Sequence, residues 1–302
     1  MQIFAFPGII VHYNVIAEMN KHAKIMETAP LVLIKYGGNA MRSDELKRDI
    51  VSRIAELRER GLRVVVVHGG GPFIQEMLDM AGIESEFVAG HRKTTPEALR
   101  YVEIALKGRV NGDLVQLFNR AGLRAVGLSG KDGRMVTAKR REHEQMVDGE
   151  KRTFDLGLVG DVTSVDTTLP ELLLEHDYLP VITCIAPDAD GTDHNVNADM
   201  FAGHLAGALA VDRYLVLTDV DGVLIDIDDP GSLVREMTLE DLTHSMGSVI
   251  KGGMIPKLES CRIALEGGAR EARIINGMKP AQLLTAAAGD ECGTKIRSHN
   301  ED

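Results

Sequence analysis

Two apolar strands that each run straight into a glycine loop constrain the fold of this chain more than any other feature. Residues 31–39 read LVLIKYGGN, four apolar residues followed by Lys35, Tyr36, Gly37 and Gly38. Residues 64–67 lead in the same way into His68, Gly69, Gly70, Gly71 and Pro72. A short apolar run closed by glycines reads as a buried strand ending in a tight loop. Glycine lets the backbone turn freely and lets a ligand approach the N–H groups. Pro72 suits the first turn of a following helix. In open α/β sheets ligands sit at the carboxyl edge of the strands, and amides exposed at a helix N-terminus favour anions. Lys35, at the mouth of the first loop, adds a compact cation suited to phosphate. For one such loop alone, a plain turn with a solvated lysine is the better reading. Two on one sheet edge predict a site for a phosphate or carboxylate.

The rest of the chain repeats this strand–helix unit. Ser43 caps a helix whose first turn carries Asp44 and Glu45, whose buried face is Leu46, Ile50, Ile54 and Leu57, and which Gly61 ends. A helix from about 72 to 81 follows the second strand. A short strand is expected over 84–88, a helix from Pro96 to about Gly108, and a separate helix from about 112 to 121. Further strands are expected at 125–128, 179–184, 214–217, 273–275 and 293–296. Alternation of this kind predicts an α/β fold, a three-layer αβα sandwich around a mainly parallel open sheet. Between 134 and 166 the pattern changes. A charged run over 139–152 contains the hairpin signal Asp148-Gly149, and β-hairpins there are expected to form a lid.

Bulk properties narrow the function. The 302 residues and 44% apolar content allow a large core. A formal net charge of −11 argues against nucleic acid or an anionic membrane as the main partner. Cys184, Cys261 and Cys292 form no C-x-x-C pair, and their odd number suits a reducing cytoplasm. The ten histidines lack zinc-ligand spacing, so no structural zinc is expected, and no metal-ligating residue is singled out. Residues 1–28 are an N-terminal extension too short in its apolar part to span a bilayer. A disordered leader, an over-extended start with Met19 or Met26 as the true one, and an arm docking on another subunit all remain open for it.

Several side chains are candidates for chemistry. Arg92 precedes a helix and could clamp a carboxylate with two hydrogen bonds, although a solvated arginine is the commoner case. In Asn195-Val196-Asn197-Ala198-Asp199, Asn197 is a plausible N-cap and Asp199 lies in the first helical turn. Asp199 either complements the helix dipole or holds nearby lysines. The stretch 218–223, TDVDGV, suits nucleotide contact but also an ordinary turn. Lys257 falls in a first helical turn, which is unfavourable unless an anion sits beside it. There is no G-x-x-x-x-G-K-[ST] motif, no G-x-G-x-x-G after the first strand and no serine elbow. Two glycine loops, two lysines, an aspartate and an arginine fit phosphoryl transfer, where catalysis is positioning plus charge stabilisation.

Six segments in order carry a more specific likeness: KYGGNAM at 35–41, HGGGP at 68–72, Gly90-x-Arg92-x-Thr94, NVNAD at 195–199, TDVDGV at 218–223 and GGMIPK at 252–257. With them the chain resembles the amino-acid kinase superfamily from about 31 to 296, nearest its N-acetylglutamate-phosphorylating branch. The resemblance implies ATP with Mg2+, and N-acetyl-L-glutamate phosphorylated on its γ-carboxylate in arginine biosynthesis. It implies that Lys35 and Lys257 stabilise charge and that Asp199 orients them. The amides of Gly37, Gly38, Gly69, Gly70 and Gly71 would bind phosphoryl and carboxylate oxygens, and Arg92, Asn195 and Asn197 would hold the amino acid. Asp219, Val220, Gly222, Val223, Leu224 and Lys251 would border the nucleotide. The implied organisation is a substrate lobe over 29–185 and an ATP lobe over 186–302 on one sheet, in a cytoplasmic homo-oligomer that is at least a dimer. Arginine-inhibited members carry a histidine and a glutamate where this chain has Arg273 and Ala286, so inhibition by arginine is not implied. Competing readings are an aminoadipate-type or glutamate kinase, a non-catalytic amino-acid sensor and, third, a nicotinamide dehydrogenase. The presence of Lys35, Asp199 and Lys257 weighs against the sensor.

Overall fold

In chain order the strands are β1 (Leu31–Tyr36), β2 (Arg63–His68), β3 (Phe87–Val88), β4 (His91–Arg92), β5 (Ala125–Ser129), β6 (Val136–Val147), β7 (Glu150–Val165) and β8 (Leu179–Thr183). They continue with β9 (Ile185–Pro187), β10 (Asp193–Val196), β11 (Arg213–Thr218), β12 (Val223–Leu224), β13 (Leu233–Val234), β14 (Glu236–Thr238), β15 (Ala272–Asn276) and β16 (Thr294–Arg297). This computed structural model describes residues 29–298 except 89, 148–149, 227 and 246–251. The N-terminal extension over 1–28, the Asp148-Gly149 turn and Lys251 lie outside the described residues.

The main sheet has eight strands in the order β14-β16-β15-β11-β1-β2-β8-β5. Strand β1 is buried along its whole length and pairs in parallel with β2 on one side and β11 on the other. The only antiparallel pairing described in this sheet is β15 with β16. Alternate residues of β1 and β2 feed two cores, as the period of two requires. Leu31, Leu33, Val65 and Val67 pack into one layer, and Val32, Ile34, Val64 and Val66 into the other. The second layer is closed by Ile50, Ile54 and Leu57 of helix Asp44–Glu59 and Phe118 of helix Gly112–Arg120. The first is closed by helices Gly71–Met80, Ala198–Ala208 and Met254–Glu266. The result is the expected sandwich. The chain leaves β1 toward β2 and later returns on the opposite flank at β11, so the crevice at the carboxyl end of β1 is the switch point where ligands bind.

The expected hairpin is present as β6 and β7, with register shifts at Thr137/Ala138 and Arg140/Glu142. It belongs to a second sheet, β6-β7-β10-β9. Strand β10 runs parallel to β7, Asn195 opposite Val159, and leads directly into helix Ala198–Ala208.

Three local expectations are corrected. The helix from Pro96 does not stop near Gly108. Helix Pro96–Glu103 passes through a π-helical stretch, Ile104–Asn111, into helix Gly112–Arg120 without a break. A glycine inside a helix costs only about 1 kcal/mol relative to alanine, and packing on the sheet exceeds that. The strand expected over 84–88 is only Phe87–Val88. Arg92, expected in a loop, lies on β4, which pairs antiparallel with β3. The Glu84–Glu86 part is too polar for a buried strand.

Ser43 does cap helix Asp44–Glu59, its Oγ accepting from the Leu46 N–H at 3.2 Å. Ser43→Ala is expected to cost about 1 kcal/mol, read as a lower urea midpoint at unchanged slope. An unchanged midpoint would show that the cap contributes nothing.

Candidate active site

Strand β1 delivers Lys35 to the carboxyl edge of the sheet with its side chain 8% exposed. An ammonium group so far from water needs a counter-charge. Asp199 supplies it. Asn197 fixes Asp199 in place, since its Oδ1 accepts from the Asp199 N–H at 2.9 Å and the Met200 N–H at 3.2 Å. That is the expected N-cap. Lys35 Nζ lies 2.8 Å from Asp199 Oδ1, an ion pair away from the hydrogen-bonding angle. Lys257 Nζ, from helix Met254–Glu266, donates to Asp199 Oδ2 at 3.2 Å. One carboxylate thus holds one cation on each oxygen. Burial opposes ionisation of Asp199, but the nearby Lys35 and Lys257 charges outweigh it and hold the carboxyl below its ordinary range.

Two small residues set the spacing of the helices that carry this triad. A methyl group on Gly203 would sit 2.5 Å from the Ser260 carbonyl oxygen, and one on Gly207 would sit 2.9 Å from the Gly267 Cα. Only glycine lets helix Ala198–Ala208 come this close to helix Met254–Glu266. Tyr214, buried on β11, bridges them at the level of the triad. Its hydroxyl donates to Ser260 Oγ at 3.1 Å and lies 3.4 Å from the Asp199 carbonyl, while Ser260 Oγ donates to the Lys257 carbonyl at 2.7 Å. None of Gly203, Gly207, Tyr214 or Ser260 stands out in the sequence. A repeat of small residues four apart on facing helices is the signal that finds the glycines.

A cleft of about 270 Å³ opens in front of Lys35 and Asp199. Gly37, Gly69, Gly70, Gly71, Arg92, Asn195 and Asn197 all line it. Residues far apart in the chain are therefore brought together as the motifs suggested. Arg92 is held by Gln75 Oε1 at 2.7 Å and by Ser85 Oγ, and its guanidinium lies 4.6 Å from the Phe87 ring centroid. Asn195 Nδ2 donates to Thr94 Oγ1 at 3.2 Å. The Thr94 backbone is in turn bonded to Leu156 and Leu158 of the hairpin. Cys184 also lines the cleft, and burial pushes its thiol up to about 11 against the pull of Lys35, so it is neutral. Gly38 opens a tight turn, Gly38–Met41. A second cavity of about 600 Å³ shares Gly90, His91 and Asn197 with the cleft and reaches Gly253 and Pro256.

The expected nucleotide segment lies elsewhere. Asp219, Val220, Gly222, Val223 and Leu224 follow β11, on the opposite flank of β1 from the glycine loop of β2, and do not line the cleft. The Val223 N–H is bonded to Thr294 Oγ1 at 2.8 Å, and Gly222 has φ +150° against the same threonine. The Val223 bond holds the turn.

The sequence model of the amino acid kinase family matches residues 30–276. The chain belongs to the amino acid kinase family. The acetylglutamate kinase of Methanococcus maripaludis is 42% identical over 88% of this chain and 91% of its own length. The acetylglutamate kinase of Salinispora tropica is 47% identical over 88% of each. Among solved structures, smu.665 from Streptococcus mutans UA159 superposes with a TM-score of 0.70 at 26% identity, covering 89% of this kinase-family chain and 99% of its own.

Gly203→Ala is expected to destabilise the protein by about 1–3 kcal/mol through overpacking and to lower turnover by separating Asp199 from Lys257. Full stability with full turnover would show that the close approach is not required. Asp199→Asn is expected to cost about 3–5 kcal/mol at pH 7, because it leaves buried ammonium groups unpaired. The folded-state pKa of Asp199 lies below its ordinary 3.8. Its ionised form therefore contributes stability above that pH, and the contribution is lost as pH falls through the lower folded value. The gap between wild type and variant should close below about pH 4. A gap independent of pH in acid denaturation curves would contradict the assignment.

Proposed function

We propose that this kinase transfers the γ-phosphoryl group of ATP to the γ-carboxylate of N-acetyl-L-glutamate, giving N-acetyl-L-glutamyl 5-phosphate in arginine biosynthesis. The single observation that carries the reading is the Lys35–Asp199–Lys257 triad, of which Lys35 and Asp199 line the same cleft as Arg92. The acceptor is already an anion, so no general base is needed. A carboxylate oxygen forms the new bond to the γ-phosphorus as the bond from phosphorus to the bridging oxygen of ADP breaks. Negative charge spreads over the equatorial oxygens at that point. Lys35 and Lys257, each held on one oxygen of Asp199, meet that charge. Asp199 keeps both in place before substrate arrives, so little reorganisation is needed during the reaction. The amides of the Gly37–Gly38 and Gly69–Gly71 loops donate to acceptor and phosphoryl oxygens. Arg92, with Asn195 and Asn197 nearby, binds the α-carboxylate and amide end.

Mg2+ is assigned to the nucleotide phosphates, since this ion is usually bound by one or two carboxylates plus substrate phosphates. Bound there, Mg2+ would neutralise charge on the β- and γ-phosphates. Asp219 to Leu224 and Lys251 are assigned to the nucleotide. The chain is assigned to the cytoplasm, and no helix among the described residues is long and apolar enough to cross a membrane. A homo-oligomer of at least two copies is the expected assembly, with the exposed Met80 and Ile104 as apolar surface for it to cover. The residues 29–185 and 186–302 act as the acceptor and nucleotide lobes. A related carboxylate kinase or a sensor is not favoured, since the relatives above are acetylglutamate kinases and the triad is intact.

ATP-dependent hydroxamate formation is expected with N-acetylglutamate, and far less with glutamate or aminoadipate. Lys35→Arg and Lys257→Arg should each lower kcat by about 100–1,000-fold, the usual scale for losing one preorganised charge contact. Turnover near wild type in both variants would refute the roles given to the lysines.

A further inference from the structure

The mechanism above uses the Gly70 amide but not the side chain two residues before it. His68 ends β2 fully buried. Its Nδ1 lies 3.0 Å from the Gly69 carbonyl oxygen, and its Nε2 lies 2.9 Å from Asn111 Nδ2. Asn111 Nδ2 also donates to the Val181 carbonyl at 2.9 Å. A carbonyl oxygen can only accept and an amide nitrogen only donate, and the Val181 carbonyl fixes the amide nitrogen on the ring side, so these contacts fix a neutral ring with the proton on Nδ1. Burial pushes the ring down to about 4, against the pull of the Gly69 bond, so it stays in that form at neutral pH.

The consequence follows from the planar trans peptide. The Gly69 carbonyl and the Gly70 N–H belong to one peptide unit and point in opposite directions. Holding the carbonyl inward against His68 turns the Gly70 N–H outward, toward the cleft that Gly70 lines. Among the described residues no group accepts from that N–H, as expected of a donor kept for a ligand. The π-helical stretch supplies the other half of the device. Asn111 is its last residue, and Leu106 and Val110 lie 2.9 and 3.3 Å from where a Gly70 side chain would start. A π turn carries one more residue than an α turn, and here it brings all three residues onto the loop.

We propose that His68 and Asn111 are positioning residues that orient the Gly70 N–H toward the oxygen of the reacting acyl phosphate. The inference rests on the acetylglutamate kinase reading for the identity of that oxygen. Wild-type hydroxamate turnover tests that reading separately. In the same assay His68→Leu should lower kcat by about thirtyfold, somewhat less than outright loss of an oxyanion donor, with the KM for ATP within about twofold. His68→Asn places an N–H where Nδ1 stood and should restore most of the lost kcat. A normal kcat for His68→Leu, or His68→Asn falling as far at equal melting temperature, would overturn the proposal. Should the leucine variant not fold or the wild type not turn over, 15N NMR of the wild-type imidazole decides. The neutral Nδ1–H tautomer at pH 7 supports the device, and the Nε2–H tautomer or a cation overturns it.

Discussion

One buried carboxylate between two ammonium groups is the interaction on which the rest of the structure depends. Each charge is costly away from water, and each becomes tolerable only because the others are there. The ion pairs also leave a residual positive charge at the triad, since two cations face one anion. Against a formal net charge of −11 for the whole chain, this is a local field that an incoming phosphate can find. A phosphoryl group in transit carries the charge that completes the balance, so the site is electrostatically unfinished until its reactants arrive.

The scaffold serves that arrangement at three levels. Parallel pairing of β1 with β2 and β11 puts Lys35 and both glycine loops on one edge. The second sheet feeds β10 directly into the capped helix that starts at Ala198, so Asp199 follows a strand that is itself paired with the hairpin strand β7. Gly203 and Gly207 then let the Lys257 helix close to backbone contact. The Thr94 bonds to the hairpin tie the Arg92 end of the cleft to the same sheet. Substrate recognition and charge stabilisation therefore rest on one connected frame rather than on independent loops.

Much of this was legible in the sequence because it follows from period and punctuation. The continuous apolar runs before Lys35 and His68 read as buried strands, and Asn197 before an alanine-rich stretch as a plausible cap. Lys257 in a first helical turn pointed to an anion beside it, and Asp199 is there. What the sequence hid was long-range or irregular. The π stretch was read as two helices because Gly108 and Gly112 look like breaks, yet packing of Leu106 and Val110 against the loop carries the helix through them. Gly203 looks like one more small residue until the facing Ser260 carbonyl is seen. Gln75 and Ser85, which hold Arg92, are ordinary surface residues by sequence. The bond from the Val223 N–H to Thr294, which holds the turn after β11, has no sequence signature.

A crystal structure of the protein with ADP, aluminium fluoride, magnesium and N-acetyl-L-glutamate would test the central claim most directly. The account predicts Lys35 Nζ and Lys257 Nζ each within hydrogen-bond distance of the planar fluoride group, roughly 2.7–3.2 Å, with Asp199 still touching both. Lysines turned to solvent, or an aluminium fluoride group held without either of them, would contradict it.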